Sequence, residues 1–135
     1  YQARHTLVGH TREVTTLRFN HDAKLLASGS SDNRVKIWST RTGRCLQTIT
    51  NHVHGPVTDI VWFRNKQGQL AFFFSCADGT VHLYIQVSEP YYTTAVAICA
   101  HRSAVESIDY DPIHRRLASS GSGEAKVWNV NADCE

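Results

Sequence analysis

Eight histidines and four cysteines are the side chains of this 135-residue chain best suited to acid–base, nucleophilic or metal chemistry, and their spacing supports none of the three. His52 and His54 stand one residue apart, which on an extended loop turns both imidazoles to one side, but no third ligand lies near in sequence. The simpler reading is a repeated loop histidine with a loop neighbour. Cys45, Cys76, Cys99 and Cys134 fall about one to a strand region, without the close pairs of a metal site, and read as small buried filler in a reducing compartment. Gly121-x-Gly123 lacks the third glycine and the strand–helix setting of a dinucleotide loop. No Gly-x-Ser-x-Gly elbow occurs. The expectation is a protein that is not an enzyme, with no cofactor and no metal.

Composition bounds the remaining classes. The chain is 41% apolar and 19% charged, which describes a globular domain and not a disordered one. Fourteen basic and twelve acidic residues leave a net charge of +2 with histidine neutral, so nothing demands nucleic acid as a ligand. No apolar run approaches the ~20 residues of a membrane helix, and no signal peptide opens the chain. Those features and the cysteines point to a cytoplasmic or nuclear location with no membrane partner. Methionine is absent, so Tyr1 is expected to mark a processed end or an excised piece.

The elements that must position these side chains are short strands. Glu13 to Asn20, Leu25 to Ser30, Arg34 to Trp38 and Arg44 to Thr50 are apolar or β-branched runs separated by turns such as His21-Asp22-Ala23-Lys24 and Thr40-Arg41-Thr42-Gly43. The pattern recurs over Val57 to Phe63, Leu70 to Ser75, Thr80 to Tyr84 and Tyr92 to Cys99. It recurs again over Val105 to Tyr110, Arg116 to Ser120 and Ala125 to Val130. Arg4 to Val8 matches the fourth-strand segments and completes a count of twelve. The run Leu70-Ala71-Phe72-Phe73-Phe74 reads as a strand sandwiched between neighbours, apolar on both faces. The aromatic positions Trp38, Tyr84 and Trp128 lie 46 and 44 residues apart, and Gly9-His10 stands ahead of the first. A period in that range with four strands per unit is the mark of propeller blades. The expected fold is therefore all-β: a β-propeller segment of four-stranded antiparallel blades over residues 1–135, about three blades, with approximate repeats 4–50, 51–99 and 100–135.

These residues resemble the WD-repeat β-propeller family over essentially the whole chain. The resemblance implies a hydrogen-bonded tetrad in each blade: a loop histidine, a strand hydroxyl, a turn aspartate and a strand tryptophan. In the first unit these are His10, Ser28, Asp32 and Trp38, with Ser30 sharing a face with Ser28. The second unit offers Asp78, with Tyr84 in place of tryptophan, Phe74 at the hydroxyl position, and either His52 or His54 as the histidine. The third offers His101 and Trp128, while Ser120 to Glu124 contains no aspartate. Such a network pins a loop to its blade and is structural, and the second and third blades are expected to hold their loops less firmly.

Three blades make only an arc, since closed propellers typically have about 4–8. Two wet end faces of roughly 300–500 Å² each would forgo about 15–25 kcal/mol, more than a domain's usual stability of ~5–15 kcal/mol. The expected solutions are a homodimer closing a six-bladed ring, or a place within a longer propeller. The resemblance also places Glu13, Thr15, Ser31, Pro56, Thr58, Ala77, Ala104 and Glu106 at the narrow mouth of the central channel. There they would hold a peptide or protein segment, the leading functional expectation. The alternative is a structural assembly module forming a composite propeller. The opposite, hairpin face carries Lys24, Arg41, Arg44, Arg64, Lys66, Arg115 and Arg116, diluted by Asp22, Glu89 and Asp111. Docking of an acidic partner or nucleic acid there is the third option. Nucleic acid is the weaker of those two, because no aromatics interleave with the basic residues.

Overall fold

The computed structural model describes residues 2–50, 53–88 and 91–130. Eleven strands and no helix are found among them. The first sheet holds β1 (Val14–Phe19), β2 (Leu25–Ser30), β3 (Val35–Ser39) and β4 (Cys45–Ile49), hydrogen-bonded in chain order. The second holds β5 (Val57–Arg64), β6 (Leu70–Cys76), β7 (Thr80–Ser88) and β8 (Tyr91–Cys99) in the same order. The third holds β9 (Ser107–Asp111), β10 (Arg116–Gly121) and β11 (Glu124–Asn129). Every pairing is antiparallel. These are propeller blades, two complete and one of three strands.

The segment Arg4 to Val8, expected as a strand, is not one. A strand is a property of a pair, and no sheet edge among the described residues hydrogen-bonds this stretch. It lies instead along the first blade, with the His5 imidazole 3.1 Å from the Arg41 carbonyl and against Gly43. Among the described residues the count is therefore eleven strands where twelve were expected.

Side-chain alternation decides how the blades stack. On β6, Phe72 and Phe74 face the first blade, where they meet Ala27, Val35, Ile37 and Ile49. Ala71 and Phe73 face the third blade and join Val105, Ile108 and Leu117. Both faces of this central strand are fully covered, which is why its sequence reads as one continuous apolar run. Trp62 and Tyr92 extend the first interface by packing their rings around Phe72 at 5.1 and 5.3 Å, and lie 5.9 Å from each other.

Polar contacts bind the blades at three radii. Near the axis, Asp59 on β5 is buried and joins all three inner strands. Its Oδ1 accepts from Arg18 Nη2 at 3.2 Å, and its Oδ2 accepts from the Ile108 amide at 3.0 Å and the Ser107 hydroxyl at 3.2 Å. Further out, the Trp62 indole donates to the Arg18 carbonyl at 2.9 Å. At the rim, the Gln47 side-chain amide on β4 pairs with both backbone groups of Tyr92 on β8, at 2.9 and 2.8 Å.

The first blade's other face shows what stacking accomplishes. Leu17 and Phe19 occupy the register positions of Ile60 and Trp62 in the second blade and of Ile108 and Tyr110 in the third. Those four side chains pack against a preceding blade. Leu17 and Phe19 have no such neighbour among the described residues and are 51% and 61% exposed. At the far end of the arc Val127 on β11 is 68% exposed.

Candidate functional site

One end of the blades carries the β2–β3 and β6–β7 turns and the loops entering β1, β5 and β9. In the first blade these elements bring four side chains together. The Trp38 indole donates to the Ser28 hydroxyl at 2.8 Å, and Ser28 lies 2.6 Å from His10 Nε2. Because a carboxylate only accepts, His10 Nδ1 carries the proton that faces Asp32 Oδ2 at 2.9 Å, and Nε2 is then free to accept from Ser28. Asp32 also takes the backbone amides of Thr11 and Arg34. Ser30, on the same face of β2, turns to the loop, where its hydroxyl bonds the Arg12 carbonyl and the Asp32 amide.

This chain of contacts has the order of a hydrolytic triad, and its surroundings decide against that chemistry. Ser28 is buried, and its oxygen already accepts the indole proton, so no substrate carbonyl can reach it. What the arrangement does is fasten residues 10–12 and the β2–β3 turn to the sheet.

Burial alone would raise the Asp32 carboxyl. The hydrogen bond from His10, the Thr11 amide and the Ser30 hydroxyl outweigh it and hold the group below its usual range. A carboxyl with a lowered folded-state pKa stabilises above its unfolded value of ~3.9, and that contribution is lost as pH falls through the folded value. Acidification below about pH 4 should therefore speed amide hydrogen exchange at Thr11 and Arg34 relative to that of β6. Equal protection of the two regions across that range would contradict the assignment.

The second blade solves the same problem differently. Phe74 stands where Ser28 does, and the His82 ring stacks on it at 4.8 Å and 14°. Thr80 bridges His82 Nε2, at 3.0 Å, and the Asp78 carboxylate, which also caps the Thr80 amide. Asp78 thus serves its own turn. His54 is exposed, and His52 lies outside the described residues, as do Glu89 and Cys134. Tyr84, in the tryptophan position, stacks on Phe72.

In the third blade, His101 Nε2 and the Trp128 indole meet at Ser119 Oγ, at 2.9 and 3.0 Å. His101 Nδ1 is buried and faces Glu124 Oε1 at 3.5 Å, too poorly aligned for a hydrogen bond. Sequence reasoning missed Ser119, Glu124, Thr80 and His82. Ser119 had a signal, since it precedes Trp128 by nine residues much as Ser28 precedes Trp38 by ten. Glu124 had one too: its extra methylene suits a turn one residue shorter.

The expected mouth residues fall into pairs. The Ser31 amide donates to the Glu13 carbonyl and the Ala77 amide to the Pro56 carbonyl, matching contacts in successive blades. Thr15 and Thr58 border one shallow groove along β1 and β5. The Thr15 hydroxyl lies between the Gly29 and Val57 carbonyls and ties blade to blade, while Thr58 Oγ1 meets Ser75 at 2.7 Å. Both hydroxyls are committed to the protein. Ala104 is half-buried beside Gly121. Glu13 and Glu106 are exposed, and the Glu106 amide bonds the Ser120 carbonyl. Among the described residues, no cluster of three His, Cys, Asp or Glu side chains is placed to hold a metal ion. No helix among them is long and apolar enough to cross a membrane.

The family model for the WD domain, G-beta repeat, matches residues 1–39, 43–84 and 92–129. The chain belongs to the WD-repeat family. Repeats of this family generally mediate protein–protein contact or act as scaffolds. Among relatives, the periodic tryptophan protein 2 homolog of Dictyostelium discoideum is 31% identical over 124 residues, covering 90% of this chain and 13% of the relative. The transcriptional corepressor LEUNIG_HOMOLOG of Arabidopsis thaliana is 35% identical over 124 residues, with 90% and 15% covered. A probable cytosolic iron-sulfur protein assembly protein, Ciao1 of Aedes aegypti, is 26% identical over 150 residues, with 95% and 44% covered. This WD-repeat chain thus spans less than half the length of each of these relatives.

Proposed function

We propose that these blades form a non-catalytic scaffold that holds a peptide or protein segment at the loop-carrying mouth, in a cytoplasmic or nuclear protein. The observation supporting this is the fastening of that mouth: His10, Ser28, Asp32 and Trp38 in the first blade, and His101, Ser119 and Trp128 in the third, fix loops with no chemistry of their own to perform. A fixed rim binds without an ordering cost. Of the expected mouth residues Glu13 and Glu106 are the charged ones and both are exposed, so a segment bearing lysine or arginine suits them, with Arg12 and Arg102 exposed in the neighbouring loops to pair with any carboxylate it carries. Ser31, Pro56, Ala77 and Ala104 supply small, backbone-accessible surroundings, with Thr15 and Thr58 as supports. On an array of lysine- and arginine-containing peptides, Glu13→Ala with Glu106→Ala should weaken captured signals about tenfold, an effect of ~1.4 kcal/mol, while leaving thermal unfolding unchanged. Unaltered capture would remove the mouth as the binding surface.

A second reading, assembly, is favoured by the exposed Leu17, Phe19 and Val127 at the two ends of the arc. Among the described residues β11 pairs only with β10, leaving its other edge for a further strand. Closure by a second copy would make a six-bladed ring over two chains 1–135; closure by further blades of a longer chain would make a larger one. Light scattering distinguishes them. The second-copy form should weigh twice 15.1 kDa, whereas a stable monomer at that mass would exclude it.

A further inference from the structure

We infer that the hairpin end of the first two blades carries a second docking groove, separate from the mouth, that takes an acidic peptide anchored by an apolar side chain. The seven basic hairpin residues do not form one patch. Lys24, Arg41 and Arg44 line a single groove of about 610 Å³ between these blades, whereas Arg64 borders a different one. Arg115 and Arg116 lie on the third blade.

The floor of the groove is apolar: Leu25 from β2, Leu46 from β4 and Leu70 from β6 meet there, each half-buried. Both walls belong to complete four-stranded sheets, so the groove does not arise from the uncovered ends of the arc. The Gln47–Tyr92 clamp holds those sheets together at the rim.

Charge selects the occupant. Lys24, Arg41 and Arg44 are exposed, and none of the three side chains forms an ion pair among the described residues. One carboxylate, Asp22, shares the groove. It is held below its usual range, first by the Lys24 amide that it caps, and so remains tied to its own turn. Three cations over a leucine floor match carboxylates flanking a leucine-like residue. Arginine adds a fork suited to a carboxylate, and a half-dry apolar anchor supplies the affinity that exposed ion pairs lack.

The test uses the full chain that carries these blades and a fluorescein-labelled peptide of repeated Asp-Asp-Leu triplets, followed by anisotropy and by amide shifts. Binding should move the resonances of Lys24, Leu25, Arg41, Arg44 and Leu46. It should weaken at least about tenfold in Arg41→Glu with Arg44→Glu, and by a similar factor when the peptide's leucines become serine. Glu13→Ala with Glu106→Ala should leave it intact, which separates this groove from the proposed mouth. Equal binding of the serine peptide, shifts confined to the mouth, or tighter binding of oligo-dT than of the peptide would each overturn the proposal.

Discussion

Gly79→Ala should destabilise this chain by about 3–5 kcal/mol, a large share of a domain's usual stability of ~5–15 kcal/mol. Two independent causes add. Gly79 has φ +91°, a region in which a side chain strains the backbone by ~1–3 kcal/mol. A Cβ there would also stand 2.2 Å from the His101 carbonyl oxygen and 2.9 Å from that of Ser103, backbone atoms that cannot rotate away. The Gly79 carbonyl meanwhile accepts the amides of Ala100 and His101, so relief by shifting the turn would release the loop that enters the third blade. Gly68 is the control. It has φ +78° but nothing within 4 Å, so Gly68→Ala should show the backbone strain alone, about 1 kcal/mol. Urea midpoints of the two variants compare them directly. Similar losses would mean that the contact with His101 is not rigid.

Asp59→Ala is the second large effect, at about 3 kcal/mol. The share from Arg18 is small, since that guanidinium is 54% exposed and its attraction is screened by solvent. Most of the loss comes from the Ile108 amide and the Ser107 hydroxyl, which a buried carboxylate satisfies and a methyl group does not. Asp59→Asn keeps an acceptor and should lose less. If calorimetry shows one transition for the parent and two for Asp59→Ala, the third blade has come loose from the first two. A single unshifted transition would show that apolar stacking alone sets the junction.

The blades were legible in the sequence because their signals are local: short alternating runs, turn residues and a period carried by Trp38, Tyr84 and Trp128. The doubly apolar β6 was legible for the same reason. What the sequence did not disclose depends on partners distant along the chain. Arg4 to Val8 has a strand's composition but pairs with no sheet edge among the described residues. Ser28 and Ser30 share a face, and only the position of the indole separates their roles. Glu124 stands near His101 although no aspartate precedes Trp128 at the expected interval. Thr80 and His82 form a network whose parts have no fixed spacing in the first blade. Of the mouth residues, composition shows that Thr15 and Thr58 are small and polar, but not that their hydroxyls are occupied by Gly29, Val57 and Ser75.

The Gln47 clamp has a mechanical consequence. A neutral side-chain amide that imitates a peptide unit is indifferent to ionic strength and to acid, whereas the Arg18–Asp59 attraction near the axis is not. Raising salt should therefore loosen the Arg18–Asp59 attraction, while the Gln47 clamp and the neutral contacts of Thr15 and Trp62 keep the first two blades joined.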